Sequence, residues 1–284
     1  MKIPKRLHPL LDDGLIDKVI CQLQSGKEAQ VYMVRCGEAV RCAKVYKEAN
    51  KRSFKQAVQY QEGRTGRNSR RNRAMQKRTS FGQKESEKAW LSAEVDALYQ
   101  LAAAGVRVPQ PYGFVDGVLL MELITDGEGH AAPRLSEVDF SEALALEYHE
   151  RLIRDIVRML CAGLVHGDLS EFNVLVDKDG PVIIDLPQAV NAAGNNSASA
   201  ILTRDVNNMS DFFGRFAPAL ASTTYGKEIW HLYEKGSLTP DSELTGHFIE
   251  STIAADVDDV MKVIDAAAEE EFDRRRRAEE FGDA

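Results

Sequence analysis

Asp168, Asn173 and Asp185 are the residues whose types and spacing point most directly to chemistry. Asp168 and Asn173 stand five positions apart in His166-Gly167-Asp168-Leu169-Ser170-Glu171-Phe172-Asn173, on a loop predicted between a helix and a strand. Twelve residues beyond Asn173, Asp185 ends the apolar run Val182-Ile183-Ile184. Phosphoryl transfer asks little covalent help of a protein, but it needs oxygens that hold magnesium and a group that orients the acceptor. Asp168 suits the acceptor-orienting role, and Asn173 and Asp185 suit the metal. Aspartates in such places are commonly turn or cap residues, a reading that accounts for each residue singly but not for the set.

A phosphate centre also calls for a cation. Lys44 lies in Cys42-Ala43-Lys44-Val45-Tyr46, a predicted strand, between apolar neighbours where a lysine is costly unless paired. Glu94, on the helix that follows, is the expected partner, because a strand lysine held by a helix glutamate and reaching nucleotide phosphates is a kinase arrangement. Alone, Lys44 fits equally an edge-strand lysine that keeps its head in water. Ser25, Gly26 and Lys27 open Ser25-Gly26-Lys27-Glu28-Ala29-Gln30-Val31-Tyr32, between the first two predicted strands, where a nucleotide-covering loop belongs. The segment is neither Gly-x-Gly-x-x-Gly nor a Walker loop. Gly26 still allows backbone amides to approach a phosphate; taken alone, the segment reads as a plain hairpin turn.

The elements that must position these residues follow from patterning. Strands are expected over Val19 to Gln24, Gln30 to Arg35 and Val40 to Tyr46, as an antiparallel meander. Pro4 and Pro9 limit regular structure in the lead-in before them. A helix begins at Lys88, with Trp90, Leu91, Val95, Leu98 and Leu101 near a 3.6-residue period; strands Tyr112 to Val115 and Val118 to Leu123 come next. Ser141 to Ala162 reads as a long amphipathic helix with Leu146, Leu152, Ile153, Ile156, Val157 and Leu160 as its buried stripe, closed by Gly163. Short strands Asn173 to Val176 and Val182 to Ile184 flank a Lys178-Asp179-Gly180 turn. The rest is mostly helical, including Asp205 to Phe216 and Ile253 to Ala268. The fold class expected is therefore α+β: a small antiparallel-sheet lobe and a mainly helical lobe, with a cleft near Met121 to Gly127. In residue ranges, 1–18 is a lead-in, 19–123 the first lobe with a basic insertion at about 48–84, and 124–284 the second lobe with a charged terminal helix.

Composition bounds the partners. The 284 residues hold 44% hydrophobic and 28% charged side chains, ordinary for a globular chain able to bury a sizeable core. No run approaches eighteen apolar residues, so no membrane span is expected, and the basic start lacks the apolar core of a secretory signal. Cys21, Cys36, Cys42 and Cys161 form no CxxC pair and read as reduced thiols of a cytoplasmic protein, with Cys36 and Cys42 as the only candidates for neighbours across a hairpin. A net charge of −8 argues against wholesale nucleic-acid binding, yet almost every charge between Arg41 and Lys84 is basic. The stretch Arg64 to Arg78 is a solvated loop, or else a salt-sensitive contact for RNA or a ribosomal particle; no interleaved aromatics suggest base stacking. Arg274 to Arg277, set among acids, reads as a solvated helix face.

Together these segments resemble the RIO family of atypical serine/threonine protein kinases. The loop Ser25 to Tyr32 is similar to the family's STGKEAxVY, Lys44-Val45-Tyr46-Lys47 to its strand lysine with Tyr-Lys, and Trp90 to Glu94 to its W-x-x-x-E helix. His166 to Asn173 matches HGDLSxxN, Ile184 to Val190 matches I-D-x-x-Q-x-V, and Leu202 to Phe213 looks like LxRDxxNxxxFF. The resemblance spans about Val19 to Phe216. It implies ATP and magnesium as cofactors, with manganese as a substitute ion, Asp168 as base, and Asn173 and Asp185 as metal ligands. It implies Lys44 and Glu94 on the phosphates, and Glu122 to Ile124 as a hinge meeting adenine through backbone groups. It also implies that Asp185 can carry a phosphoryl group, and that the protein can autophosphorylate or act on a protein substrate not yet identified.

The departures are as informative. Gly167 replaces the arginine of the usual HRD, and no Ala-Pro-Glu follows Asp185, so neither activation-segment phosphorylation nor the ordinary peptide platform is expected. With the sheet starting by about residue 19, no N-terminal winged-helix module is expected. Two other functions fit parts of the sequence. A small-molecule kinase of the aminoglycoside or choline type shares HGDxxxxN, but commonly has Asp-Trp or Asp-Phe where this chain has Asp185-Leu186. An ATP-switched RNA or ribosome assembly factor would use the basic insertion.

Overall fold

The computed structural model describes residues 3–47 and 93–249. The basic insertion, residues 88–92 of the helix expected from Lys88, the helix expected over 253–268 and the Arg274 to Arg277 run lie outside these residues. The described residues up to Phe248 belong to one compact unit.

The lead-in is more structured than its prolines suggest. A 3-10 turn (Lys5–Leu7) runs into α1 (His8–Asp12), where Pro9 stands in the first turn and so costs no intrahelical hydrogen bond. Leu7, Leu10 and Ile16 are fully buried beneath one face of the sheet with Val19, Tyr32, Val34, Ala43, Val45, Val118 and Leu120.

That sheet contains β1 (Lys18–Ser25), β2 (Ala29–Cys36), β3 (Ala39–Tyr46), β4 (Pro111–Val115) and β5 (Val118–Glu122), in the order β1-β2-β3-β5-β4. Every neighbouring pair is antiparallel. Asp116 and Gly117, both at positive φ (49° and 76°), make the two-residue turn joining β4 to β5, a pairing whose twist matches the strands. Strand alternation puts Ala43 and Val45 on the α1 face and so turns Lys44 and Tyr46 to the other. The register sets Cys42 opposite Met33 and Cys36 opposite Ala39, so these two cysteines are not hairpin neighbours, and all four are free thiols.

Helix α2 is described over residues 93–103 and buries Glu94, Val95, Ala97, Leu98 and Leu101, one face at helical spacing. Gly105, at φ 75°, ends it. Helix α3 (Glu142–Cys161) starts where Ser141 Oγ accepts the Leu144 N–H at 3.3 Å. Leu152, Ile153, Ile156, Val157 and Leu160 are buried as expected, but Leu146 is 42% exposed. At that end of the helix the covered face is built by Ala145 and His149.

Two short ladders follow. β6 (Leu164–Val165) pairs with β9 (Val190–Asn191), and β7 (Val174–Asp177) pairs with β8 (Gly180–Ile183). Helix α4 (Ala198–Gly214) begins seven residues before the expected Asp205, because its start carries no side-chain cap and opens on small residues that give no sequence signal. α5 (Tyr225–Glu234) completes the described helices. One apolar cluster joins Ala29, Tyr46, Leu98 and Leu119 of the sheet side to Ile156, Leu169, Ile183 and Phe213 of the helical side. The fold is thus the two-lobed kinase-like α+β arrangement, with a core continuous across the lobes. Among the described residues no helix is long and apolar enough to cross a membrane.

His149 of α3 is sealed in this core, its Nε2 3.0 Å from Ser210 Oγ and its ring against Phe213 and Tyr225. Burial pushes it down from the ordinary 6.5 to about 4. The folded state therefore favours the neutral ring: its contribution is complete above pH 6.5 and is lost as pH falls toward about 4. Urea unfolding at pH 7, 5.5 and 4.5 is expected to show a smaller loss of stability in His149→Gln than in the wild type; equal losses would place the acid sensitivity elsewhere.

Candidate active site

Strand β3 carries Lys44 into the cleft, where its side chain is largely covered. Its Nζ lies 2.5 Å from Glu94 Oε1 and 2.8 Å from Asp185 Oδ1. Only 13% of the Lys44 side chain and 4% of Glu94 are exposed, against 47% for Asp185. Burial alone would lower the lysine, but the charges of Glu94 and Asp185 outweigh it and hold Lys44 well above its ordinary value. Burial likewise would raise Asp185, and the Lys44 charge and hydrogen bond overcome it to hold that carboxyl below the usual range. Lys44 and Asp185 are therefore both ionised at neutral pH.

Tyr46, two positions along the strand and so on the same face, completes this arrangement. Its ring lies 5.5 Å from Lys44 Nζ and edge-on to Phe114. The phenol is raised by burial and then by the Glu94 charge.

Asp168 is presented by β6 and held from behind by α4. Gly167, at φ 87°, donates its N–H to Asp205 Oδ2 at 2.7 Å, and its carbonyl accepts from Arg204. Asn208 Nδ2 donates to the Leu169 carbonyl at 2.9 Å. Arg204, Asp205 and Asn208 occupy one helix face at i, i+1 and i+4, and they fix the backbone on both sides of Asp168. His166 Nδ1 accepts the Asp168 N–H at 3.2 Å while Nε2 stands 3.0 Å from the Ile184 carbonyl, which puts the ring proton on Nε2. The loop and the strand end before Asp185 are thereby tied to each other.

Asp168 is exposed. Its Oδ2 faces Gln188 Nε2 at 3.2 Å and Asn173 Nδ2 at 3.5 Å, while Asn173 Nδ2 donates to the Asp168 carbonyl at 2.8 Å. That bond turns the Asn173 amide so that its oxygen is the end left for a ligand. The Ile184 N–H donates to the Asn173 carbonyl at 3.0 Å, so the residues before Asp185 and at Asn173 are joined directly. Asp185 itself sits at φ 67°, a left-handed conformation unusual for a residue with a side chain.

Asn173 and Asp185 fit magnesium by donor chemistry: one amide oxygen and one carboxylate, the sparse protein set that leaves the remaining positions to phosphate and water. Among the described residues no group of three or more His, Cys, Asp or Glu could hold a metal by itself. A divalent ion here needs the phosphate as a further ligand.

The loop Ser25 to Tyr32 is built on a hairpin turn. Gly26 N–H donates to the Ala29 carbonyl at 2.9 Å, closing a hairpin turn, and Lys47 fastens it through its N–H to Glu28 and its Nζ to the Gly26 carbonyl at 2.6 Å. Glu28 is raised first by burial and then by the charge of Asp185. The Ser25 and Lys27 side chains are exposed. Glu122 ends β5 with its N–H on the Gln110 carbonyl, and the buried Ile124 gives its carbonyl to Ala132.

Structure thus gathers Lys44, Glu94, Asp168, Asn173 and Asp185 in one region. Glu28, Tyr46, His166, Gln188, Arg204 and Asn208 join them with no role assigned from sequence. The Arg-Asp-x-x-Asn spacing was a usable signal for the α4 anchor; Tyr46 and Glu28 lay inside the family-like segments, but neither was given a role there.

Comparison with known proteins agrees with this geometry. Residues 30–225 match the family model described as the RIO domain. The RIO-type serine/threonine-protein kinase Rio1 of Haloferax volcanii is 34% identical over 217 residues, 74% of this chain and 68% of that protein. Human serine/threonine-protein kinase RIO1 is 30% identical, over 83% of this chain but only 40% of its own length. Among solved structures, the ADP/Mg2+-phosphoaspartate complex of the Rio2 kinase from Chaetomium thermophilum has the same fold, with a TM-score of 0.51 at 20% identity, covering 83% of this chain and 75% of that one.

If Tyr46 orients Glu94, removing its hydroxyl must weaken phosphate binding without dismantling the strand. Tyr46→Phe is expected to lower nucleotide turnover by about fivefold, through loss of the polar hydroxyl buried beside the Lys44–Glu94 pair. Lys44→Met is expected to lower it by about a hundredfold or more. Steady-state ATP turnover checks both; a Tyr46→Phe protein as active as wild type would remove Tyr46 from the site.

Proposed function

The chain belongs to the RIO family of serine/threonine kinases, and we propose on that premise that Asp168 activates a protein hydroxyl for transfer of the ATP γ-phosphoryl group. The observation that carries this reading is Lys44, shared at 2.5 and 2.8 Å between Glu94 and Asp185, a fixed positive charge facing the loop that holds Asp168.

Each residue then has a step. Lys44 pairs with phosphate oxygens, kept in place by Glu94 and Tyr46. Gly26 brings backbone amides over the phosphates, and Glu122 to Ile124 meet adenine through their main chain. Asp168, steered by Gln188 and Asn173, orients the acceptor hydroxyl and takes its proton as the phosphorus–oxygen bond forms and ADP leaves. Magnesium, when bound by Asn173 and Asp185, neutralises charge on the transferring phosphate.

The acceptor chemistry is the finer part of the proposal. Twelve residues, Leu186 to Ser197, separate Asp185 from α4, and β9 takes up two of them. This segment is too short for a peptide platform, and where the usual loop has an arginine side chain to read a phosphorylated segment, Gly167 has only a backbone, held by Asp205 and Arg204. Protein substrates therefore dock on another surface, and activity is independent of activation-segment phosphorylation. Asp185 is placed to carry a transient phosphoryl group itself. The basic stretch 64–78 is the segment through which an RNA or ribosomal particle would be engaged.

Incubation with γ-labelled ATP tests the reading. Label is expected on protein, part of it labile to hydroxylamine as an acyl phosphate requires, and the labile part should vanish in Asp185→Asn. Asp168→Ala should abolish turnover by about a thousandfold while still binding nucleotide; phosphatase pretreatment should change nothing. Turnover that survives Asp168→Ala would refute the assignment of the base, and label found only on added aminoglycoside or choline would refute the substrate class.

A further inference from the structure

Between α2 and β4, Arg107 makes a connection that the catalytic residues do not explain. Its guanidinium forks onto Glu122, Nη1 to Oε2 at 2.8 Å and Nη2 to Oε1 at 3.0 Å, and Nη2 also reaches Asp177 Oδ2 at 2.6 Å. The Gln110 N–H adds a fourth contact, to Glu122 Oε2 at 3.1 Å. Asp177 is only 8% exposed, and its other oxygen accepts the N–H groups of Asp179 and Gly180 at 2.7 and 2.9 Å, so both its oxygens are committed. The main chain of Arg107 is anchored as well: its carbonyl accepts the Ile183 N–H at 2.9 Å.

These contacts join two ends of one site. Glu122 ends β5 and begins the segment proposed to meet adenine. Asp177 closes the turn of the β7–β8 hairpin, whose open end carries Asn173 immediately before Val174 and Asp185 two residues after Ile183. A planar guanidinium bound at two points to one carboxylate and at a third to another fixes their separation in a way a lysine could not. We propose that Arg107 is a positioning residue that sets the nucleobase end of the cleft relative to its metal end, and through the Glu122 backbone sets the preference for adenine over guanine. This rests on the hinge role proposed above for Glu122 to Ile124.

The chemistry behind the preference is a matter of donors and acceptors. A fixed backbone carbonyl accepts from the exocyclic amine of adenine and repels the exocyclic oxygen of guanine. A peptide free to shift relaxes that repulsion, because rejection depends on leaving a group unpaired in a rigid site. Loosening Glu122 should therefore weaken adenine nucleotides more than guanine nucleotides.

The experiment measures equilibrium binding of ADP, GDP and tripolyphosphate to the full chain as wild type, Arg107→Gln, Arg107→Lys, Asp177→Asn and the Arg107→Gln/Asp177→Asn pair. In Arg107→Gln the ADP affinity is expected to fall roughly fivefold, the size of a partly exposed charge pair, with GDP falling less and tripolyphosphate unchanged. Asp177→Asn should move the ADP-to-GDP ratio the same way, and the pair should do no more than Arg107→Gln alone. Arg107→Lys keeps the charge without the fork, so it should shift the ratio in the same direction; it decides the matter if the glutamine variant does not fold. A ratio that does not move, or a loss shared equally by tripolyphosphate, overturns the role of Arg107. A wild type that binds ADP and GDP equally removes the hinge reading itself, and with it this proposal.

Discussion

A lysine ammonium that is 13% exposed cannot stand alone in a cleft. Lys44 is held by two carboxylates of opposite situation: Glu94, buried within α2, and Asp185, half-exposed at the end of a strand. Removing Glu94, the buried partner, costs about 3–5 kcal/mol, because Lys44 is left charged and undercompensated. That constraint reaches outward. It requires α2 to present Glu94 to β3, which the Val95, Leu98 and Leu101 face enforces by packing into the shared core. It requires Asp185 to take a left-handed backbone, and the His166 and Asn173 contacts with Ile184 hold it there.

The second support is α4. In place of an arginine before Asp168 the chain has Gly167, whose positive φ and buried backbone let Asp205 and Arg204 grip it from below. The same substitution that removes a phosphate-reading cation therefore buys a rigid catalytic loop. Arg107 ties the end of β5 to the β7–β8 hairpin, so three anchors converge: Glu94 from α2, Asp205 from α4 and Arg107 from the loop before β4. The single apolar cluster that runs across both lobes is consistent with so much cross-bracing.

Much of this was legible in the sequence, for identifiable reasons. The meander was readable because Val, Tyr and Cys alternate with polar residues between Gly-containing turns, and α3 because its apolar stripe recurs at helical spacing behind a Ser cap. Asp168, Asn173, Asp185, Lys44 and Glu94 stood out because chemistry restricts residue type and separation together. What was missed lacked a local signal. Leu146 fits the stripe by type but lies where the helix is not covered, and α4 begins without a cap. Tyr46 looks like an ordinary core aromatic until Glu94 is seen beside it. Arg107, Glu122 and Asp177 are 15 and 55 residues apart in successive steps, and only the folded sheet and hairpin bring them together.

The central claim is that Asp185 joins Lys44 and the metal in holding the triphosphate. Calorimetric titration of ATP with and without magnesium, into wild type and Asp185→Asn, tests it most directly. Wild type should bind ATP substantially more tightly with magnesium present, and in Asp185→Asn most of that magnesium dependence should disappear while the fold, followed by circular dichroism, stays intact. An undiminished magnesium dependence in Asp185→Asn would contradict the account.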